Sequence, residues 1–199
     1  MIDVKILVAT NNTGKLREFK KILLSPGISI LSPLDEDISL DIEETGTTLK
    51  DNARIKALAF SKLTDHVTLA DDSGLFVDAL DGDPGVRSAR YAGNNATDHE
   101  RNQKLLDKLQ NVPIEKRTAQ FKCVIALVDE GGNTSYFSGT CTGSIATESR
   151  GSQGFGYDPI FIVDGYNKTM AELTKVEKNK VSHRAKASRS LMQHIETIY

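Results

Sequence analysis

The first two dozen residues constrain the fold more than any other stretch. Residues 4–9, VKILVA, form a short apolar run rich in branched side chains, TNNTGK follows, and LREFKKILL then sets Leu16, Phe19, Ile22 and Leu23 at helical spacing. A strand that turns at once into an amphipathic helix starts a layered α/β protein, because the helix buries its apolar stripe by folding back on a sheet. SPG at 25–27 stops the helix, ISIL reads as a second strand, and an acidic irregular stretch, DEDISLDIEETG, comes next. Thr47 or Thr48 then caps a helix predicted to run to about residue 63, with Leu49, Ala53, Ala57 and Phe60 on one face.

The middle of the chain changes character. HVTLA and LFVDAL flank ADDSG as two candidate strands, and DGDPG closes that region with turn chemistry. Thr97 and Glu100 have capping-box spacing ahead of a helix, RNQKLLDKL. Residues 118–147 read as a long antiparallel hairpin around GGN, after which a glycine-rich loop, RGSQGFGYDP, leads to a short strand, IFIV. Ser182 can cap a last helix with Leu191, Met192, Ile195 and Ile198 inside. Early alternation followed by a hairpin predicts a mixed-sheet α/β protein: one domain over 1–199, in two lobes with a cleft between them.

Composition narrows the function classes. With 39% hydrophobic and 26% charged residues the chain suits an ordinary globular protein, and a formal net charge of -2 argues against holding nucleic acid by bulk electrostatics. Cys123 and Cys141 sit in no metal-ligand or redox spacing, so buried thiols are expected. No apolar run reaches the roughly 18 residues of a membrane span, and the N-terminus lacks the features of a secretory signal. These readings predict a cytoplasmic protein with no membrane or nucleic-acid partner.

Four blocks carry candidate chemistry. Thr10, Asn11, Asn12, Thr13, Gly14 and Lys15 lie between a strand and a helix, where backbone N–H groups and a lysine suit an anion, although Ala9 and Leu16 exclude a Walker A loop. Asp71 and Asp72 share a site only if their strand ends at Ser73-Gly74, as that dipeptide suggests; Glu43 or Glu44 would then complete a hard oxygen site for Mg²⁺. In GFGYDP, glycines allow close approach and the rings of Phe155 and Tyr157 offer stacking faces. Lys178, Lys180, His183 and Arg184 collect cations at the start of the last helix, against its dipole, which a bound anion would relieve. Singly, each block has an ordinary structural explanation; jointly they hold what a nucleoside triphosphate site needs.

ATNNTGK, EETG, ADDSGLFVDAL, PGVRSARYAG, QGFGYDPIF, AEL and EKNKVSHR occur in this order over nearly the whole chain. In these blocks the sequence resembles the inosine triphosphate pyrophosphatases. The resemblance implies an elongated mixed β-sheet flanked by helices with a central active-site cleft, and a homodimer that hydrolyses ITP, dITP and XTP to the monophosphate and pyrophosphate with Mg²⁺. It further implies Asp72 as proton acceptor and metal ligand and Glu43 or Glu44 as a second metal carboxylate; Lys15 and Asp71, its neighbour in the acidic cluster, join Asp72 as catalytic candidates. Thr10 to Lys15 would bind the triphosphate, with Lys56 and Ser73 as further contacts. Phe155, Gly156, Tyr157, Asp158, Lys178, His183 and Arg184 would hold the rest of the substrate. Gln153, where many members have glycine, is the one departure seen. A Maf-type pyrophosphatase with other base specificity, or a non-catalytic nucleotide-binding module, are the competing readings.

Overall fold

The structure, a computed structural model, describes residues 4–198. Six strands form one mixed sheet in the order β2-β1-β3-β4-β5-β6: β1 Val4–Val8, β2 Ile28–Leu31, β3 Val67–Val77, β4 Thr118–Val128, β5 Thr134–Ile145 and β6 Phe161–Val163. β1 pairs in parallel with β2 and with β3, and β6 is antiparallel to β5. The helices are α1 Thr13–Ile22, α2 Leu49–Ser61, α3 Asp98–Leu109, α4 Lys175–Val181 and α5 His183–Ile198. The expected mixed α/β architecture is therefore present, and among the described residues no helix is long and apolar enough to cross a membrane.

The chain divides into two compact units. The first comprises the residues up to Asp72, Cys123–Gly139 and those from Arg184 on; the second comprises Ser73–Lys122 and Thr140–His183. In the first unit, strand alternation sorts the core into two layers. Val4, Ile6 and Val8 of β1, Val67 and Leu69 of β3, and Cys123, Ile125 and Leu127 of β4 pack with Phe19 and Leu23 near α1 and with Leu191 and Ile195 of α5. Leu7 and Ala9, Ala70, and Ala126 and Val128 pack instead with Ala53, Ala57 and Phe60 of α2. The sheet here is covered on both faces, which is why β1 reads as a continuous apolar run.

The second unit has one core. Leu75 and Val77 of β3, Phe121 of β4, Ile145 of β5 and Phe161 of β6 gather against Leu105 and Leu109 of α3. Thr97 and Glu100 form the expected capping box at the start of α3.

Three expectations are corrected. The apolar runs around ADDSG are not two strands: β3 continues without a break from Val67 to Val77. Ser73-Gly74 does not turn the chain because Gly74 serves close packing, with Leu75 N–H donating to Ser88 Oγ at 2.9 Å and Ser88 Oγ to Gly85 O at 2.6 Å. Nor do Lys178 and Lys180 begin the last helix; they occupy the last turn of α4, where cations favour the helix dipole. Thr48 is the residue that caps α2, and the helix ends at Ser61 rather than about residue 63.

A Cβ at position 74 would lie 2.3 Å from Gly85 O, a backbone atom with no room to yield. Gly74→Ala should cost about 1–3 kcal/mol of stability, measured as a lower urea midpoint with an unchanged m-value.

Candidate active site

Alternation along β3 decides what the adjacent aspartates do. Asp71 shares the side of Val67 and Leu69, the layer of α1 and α5, whereas Asp72 shares the side of Ala70, the layer of α2. Each carboxylate is buried, and each meets its own set of partners.

Asp71 is held by two cations. Lys15 Nζ lies 3.1 Å from its Oδ1 and donates to its backbone carbonyl at 3.3 Å. Arg184 donates to Oδ2 through Nε at 3.2 Å and Nη2 at 2.9 Å, and its Nη1 pairs with Glu18 on α1. The Cys123 thiol is 3.7 Å from the same Oδ2. Burial alone would raise the Asp71 pKa, but Lys15, Arg184 and Lys56 outweigh it and hold the carboxyl well below the usual range. Arg184 is buried too; Asp71 and Glu18 overcome that desolvation and push its pKa above the ordinary arginine value.

Asp72 has a different environment. Asn52 Nδ2 donates to its Oδ2 at 3.1 Å, and Lys56 Nζ lies 3.8 Å from its Oδ1. Lys56 also pairs with Glu44. Burial raises the Asp72 pKa, only partly opposed by Lys56 and Lys15. Burial also works against the Lys56 charge, yet Asp72, Glu44 and Asp71 together keep its pKa above the ordinary value. Glu43 is exposed, so Glu44 is the acid of EETG that turns to this cluster.

The TNNTGK loop leads into α1. Asn12 caps the helix by accepting from Lys15 N–H at 3.0 Å, Thr10 Oγ1 accepts from Asn12 N–H at 3.2 Å, and Asn11 Nδ2 reaches Leu40 O at 3.3 Å. Thr13 is the first helical residue, and the first turn contains no acid. Such a terminus favours an anion. Gly14 lies buried in that turn and is not among the positive-φ glycines, so helix packing rather than a tight bend accounts for it.

The second unit organises the glycine-aromatic loop. Gly154 has φ +83°, and a Cβ there would lie 1.9 Å from Asp158 Oδ2. That oxygen accepts from Phe155 N–H at 3.0 Å and from Lys178 Nζ at 2.6 Å, and Lys178 stands 5.2 Å from the Phe155 ring centroid. From α3, Asp98 Oδ2 accepts Gly156 N–H at 2.7 Å while Asn102 Nδ2 donates to Gly156 O at 3.1 Å. Tyr157 is not a stacking face: its ring belongs to the core, its hydroxyl donates to Ser88 O at 2.9 Å, and burial raises its pKa. His183 stacks on Phe121, with centroids 4.7 Å apart, and Ser73 is half-buried.

The structure thus brings together Lys15, Asp71 and Arg184, then Asp72, Glu44 and Lys56, and separately Phe155, Asp158 and Lys178. Sequence reasoning missed Glu18, Asn52, Asp98 and Asn102. Their only signal was a polar residue beside an apolar helical stripe, which every solvated helix shows.

The metal question can be tested on donor chemistry. Asp72 and Glu44 both face one cationic nitrogen, Lys56 Nζ, so two hard oxygen donors converge on a single point of positive charge. Among the described residues no group of three or more His, Cys, Asp or Glu could hold a metal. Asp72 and Glu44 are two hard oxygen donors, the number a small divalent cation takes when water and phosphate oxygens fill the rest of its shell.

Removing the Asp71 charge leaves Arg184 buried with one fewer counter-ion. Asp71→Asn should destabilise the protein by about 3–5 kcal/mol at pH 7. Because the Asp71 pKa is depressed on folding, its contribution is complete above the unfolded value of about 4 and is lost as pH falls further. Urea titrations at pH 7 and pH 3 should therefore show a smaller wild-type advantage at the lower pH.

A model of the Ham1 family matches residues 6–194. The dITP/XTP pyrophosphatase of Halalkalibacterium halodurans is 52% identical over 185 residues, covering 93% of this chain and 95% of that protein. The enzyme of the same name from Bacillus subtilis is 47% identical over 196 residues, 98% of this chain and 99% of the relative. The solved Ham1 protein of Staphylococcus aureus superposes with a TM-score of 0.87 at 43% identity, covering 98% of this chain and all of that one. With the family pattern spanning nearly its whole length, this chain belongs to the Ham1 family.

Proposed function

We propose that this protein hydrolyses non-canonical purine nucleoside triphosphates, ITP, dITP and XTP, to the monophosphate and pyrophosphate. The observation that carries the reading is the cluster of two carboxylates, Asp72 and Glu44, about the Lys56 ammonium, in a chain about half identical to enzymes named dITP/XTP pyrophosphatase. A non-catalytic nucleotide module has no use for buried acids that repel phosphate.

Asp72 and Glu44 would hold Mg²⁺, which when bound neutralises triphosphate charge and activates water. Asp72 is the proton acceptor: a water oxygen attacks the α-phosphorus, its proton passes to the carboxylate, and the α–β anhydride bond breaks to release pyrophosphate. Burial raises the Asp72 pKa, which makes its carboxylate a stronger base than an exposed one. Lys56 and Lys15 supply positive charge for the phosphates, and the Asn12-capped start of α1 supplies N–H groups. Asp71 does not touch the reacting atoms in this reading; it fixes Lys15.

Base recognition is assigned to the blocks that match the family's base-binding positions. Phe155 stacks on the purine, and Lys178 and Asp158 order the loop that presents it. A 6-oxo purine offers an acceptor where adenine offers an amino donor, so a donor there discriminates against ATP. With the Arg184 guanidinium committed to Asp71 and Glu18, His183 and backbone amides are the donors for that role. The same reading makes the protein a cytoplasmic homodimer, supported by its resemblance to the family.

Pyrophosphate release should be rapid with ITP, XTP and dITP, slow with GTP and ATP, and abolished by EDTA. Asp72→Asn should lower kcat for ITP by roughly 100- to 10,000-fold. No release from ITP by the wild type in Mg²⁺ defeats the reading, and near-wild-type turnover by the variant removes Asp72 as the base.

A further inference from the structure

Asn52 is fully buried on α2, yet it is neither a charge nor a member of any of the motifs above. Its amide is used at both ends. Gly46 N–H donates to Asn52 Oδ1 at 2.8 Å, and Asn52 Nδ2 donates to Asp72 Oδ2 at 3.1 Å. Partner chemistry leaves no choice of orientation: a backbone N–H only donates, so it must face the amide oxygen, and the amide nitrogen must then face the carboxylate.

From this geometry we infer that Asn52 is a positioning residue that sets the proton acceptor and the EETG segment relative to each other. By occupying Asp72 Oδ2 it fixes the rotation of the carboxylate and leaves Oδ1 directed to the side of Lys56, where Glu44 also pairs. By gripping Gly46 it anchors the chain two residues beyond Glu44. A Cβ at Gly46 would come within 2.6 Å of both Asn52 Oδ1 and Asp51 Cβ, so the glycine of EETG is what lets this amide approach. One side chain therefore connects two acids that lie far apart in sequence and must act together. Partners of this kind, one bond away from a reacting or ligating carboxylate, are worth about 10- to 100-fold in activity or metal affinity.

The inference rests on the proposed hydrolysis for its kinetic consequence, but not for its structural one. Asn52→Asp keeps an acceptor for Gly46 N–H and replaces the donor facing Asp72; Asn52→Ala removes both. Hydrogen exchange of the full chain without substrate should show the Gly46 amide at least about tenfold less protected in Asn52→Ala and close to wild type in Asn52→Asp. In kinetics with ITP and Mg²⁺, both variants should lose at least about tenfold in kcat while KM stays within about threefold, because the base is misaligned and not the substrate grip. Thermal melts identify a variant that does not fold at the assay temperature, and the other then decides. A folded variant with kcat within twofold of wild type, or unchanged Gly46 exchange in Asn52→Ala, overturns the inference. Absence of ITP turnover in the wild type would instead defeat the proposed reaction and leave the exchange result standing.

Discussion

Two carboxylates adjacent in sequence can coexist in a protein interior only if something separates them or neutralises them; here β3 separates them and cations from the flanking helices neutralise them. Because successive side chains leave a strand on opposite faces, Asp71 enters the layer of α1 and α5 and Asp72 the layer of α2. The first meets Lys15 and Arg184, the second Asn52 and Lys56. Had the strand ended at Ser73-Gly74, both acids could have turned to one side, and the cations on the two layers could not have served them separately.

The two environments act in opposite directions on the same functional group. Asp71, between two cations, stays ionised far below the normal carboxylate range; at Asp72 an amide and a more distant lysine only partly offset burial, and its pKa is raised. An acid locked in its charged form is suited to fixing cations, and one whose proton affinity is raised is suited to accepting a proton. Arg184 enters this arrangement as a counter-ion to Asp71 and Glu18, which ties the start of α5 to α1 and β3. In the second unit, Asp158 organises its loop by a similar economy: one oxygen accepts from Phe155 N–H and Lys178, and α3 clamps the next peptide through Asp98 and Asn102.

Much of the architecture was legible because it depends on period. The β1 run, the helical spacing in α1, the capping box of α3 and the hairpin around GGN each state their own secondary structure within a short window. The site was legible as residue types: acids, lysines, glycines and aromatics in ordered blocks. Misreadings arose where a residue serves a distant neighbour. Gly74 looks like a turn and is a contact surface for Gly85; Tyr157 looks like a stacking ring and is core; Lys178 looks like the start of one helix and ends another.

By itself, the sequence determined that a strand, a polar loop and an amphipathic helix open an α/β fold, and that its polar blocks carry the residue types that suit phosphate and metal. Local pattern suffices there, because periodicity and capping act over a few residues. Only the tertiary structure decided which aspartate meets Lys15 and Arg184 and which meets Asn52 and Lys56, that Glu44 rather than the exposed Glu43 pairs with Lys56, and that Asn52 bonds both Asp72 and Gly46. Those assignments depend on which helix covers which face of β3, and that is a property of packing between segments many residues apart.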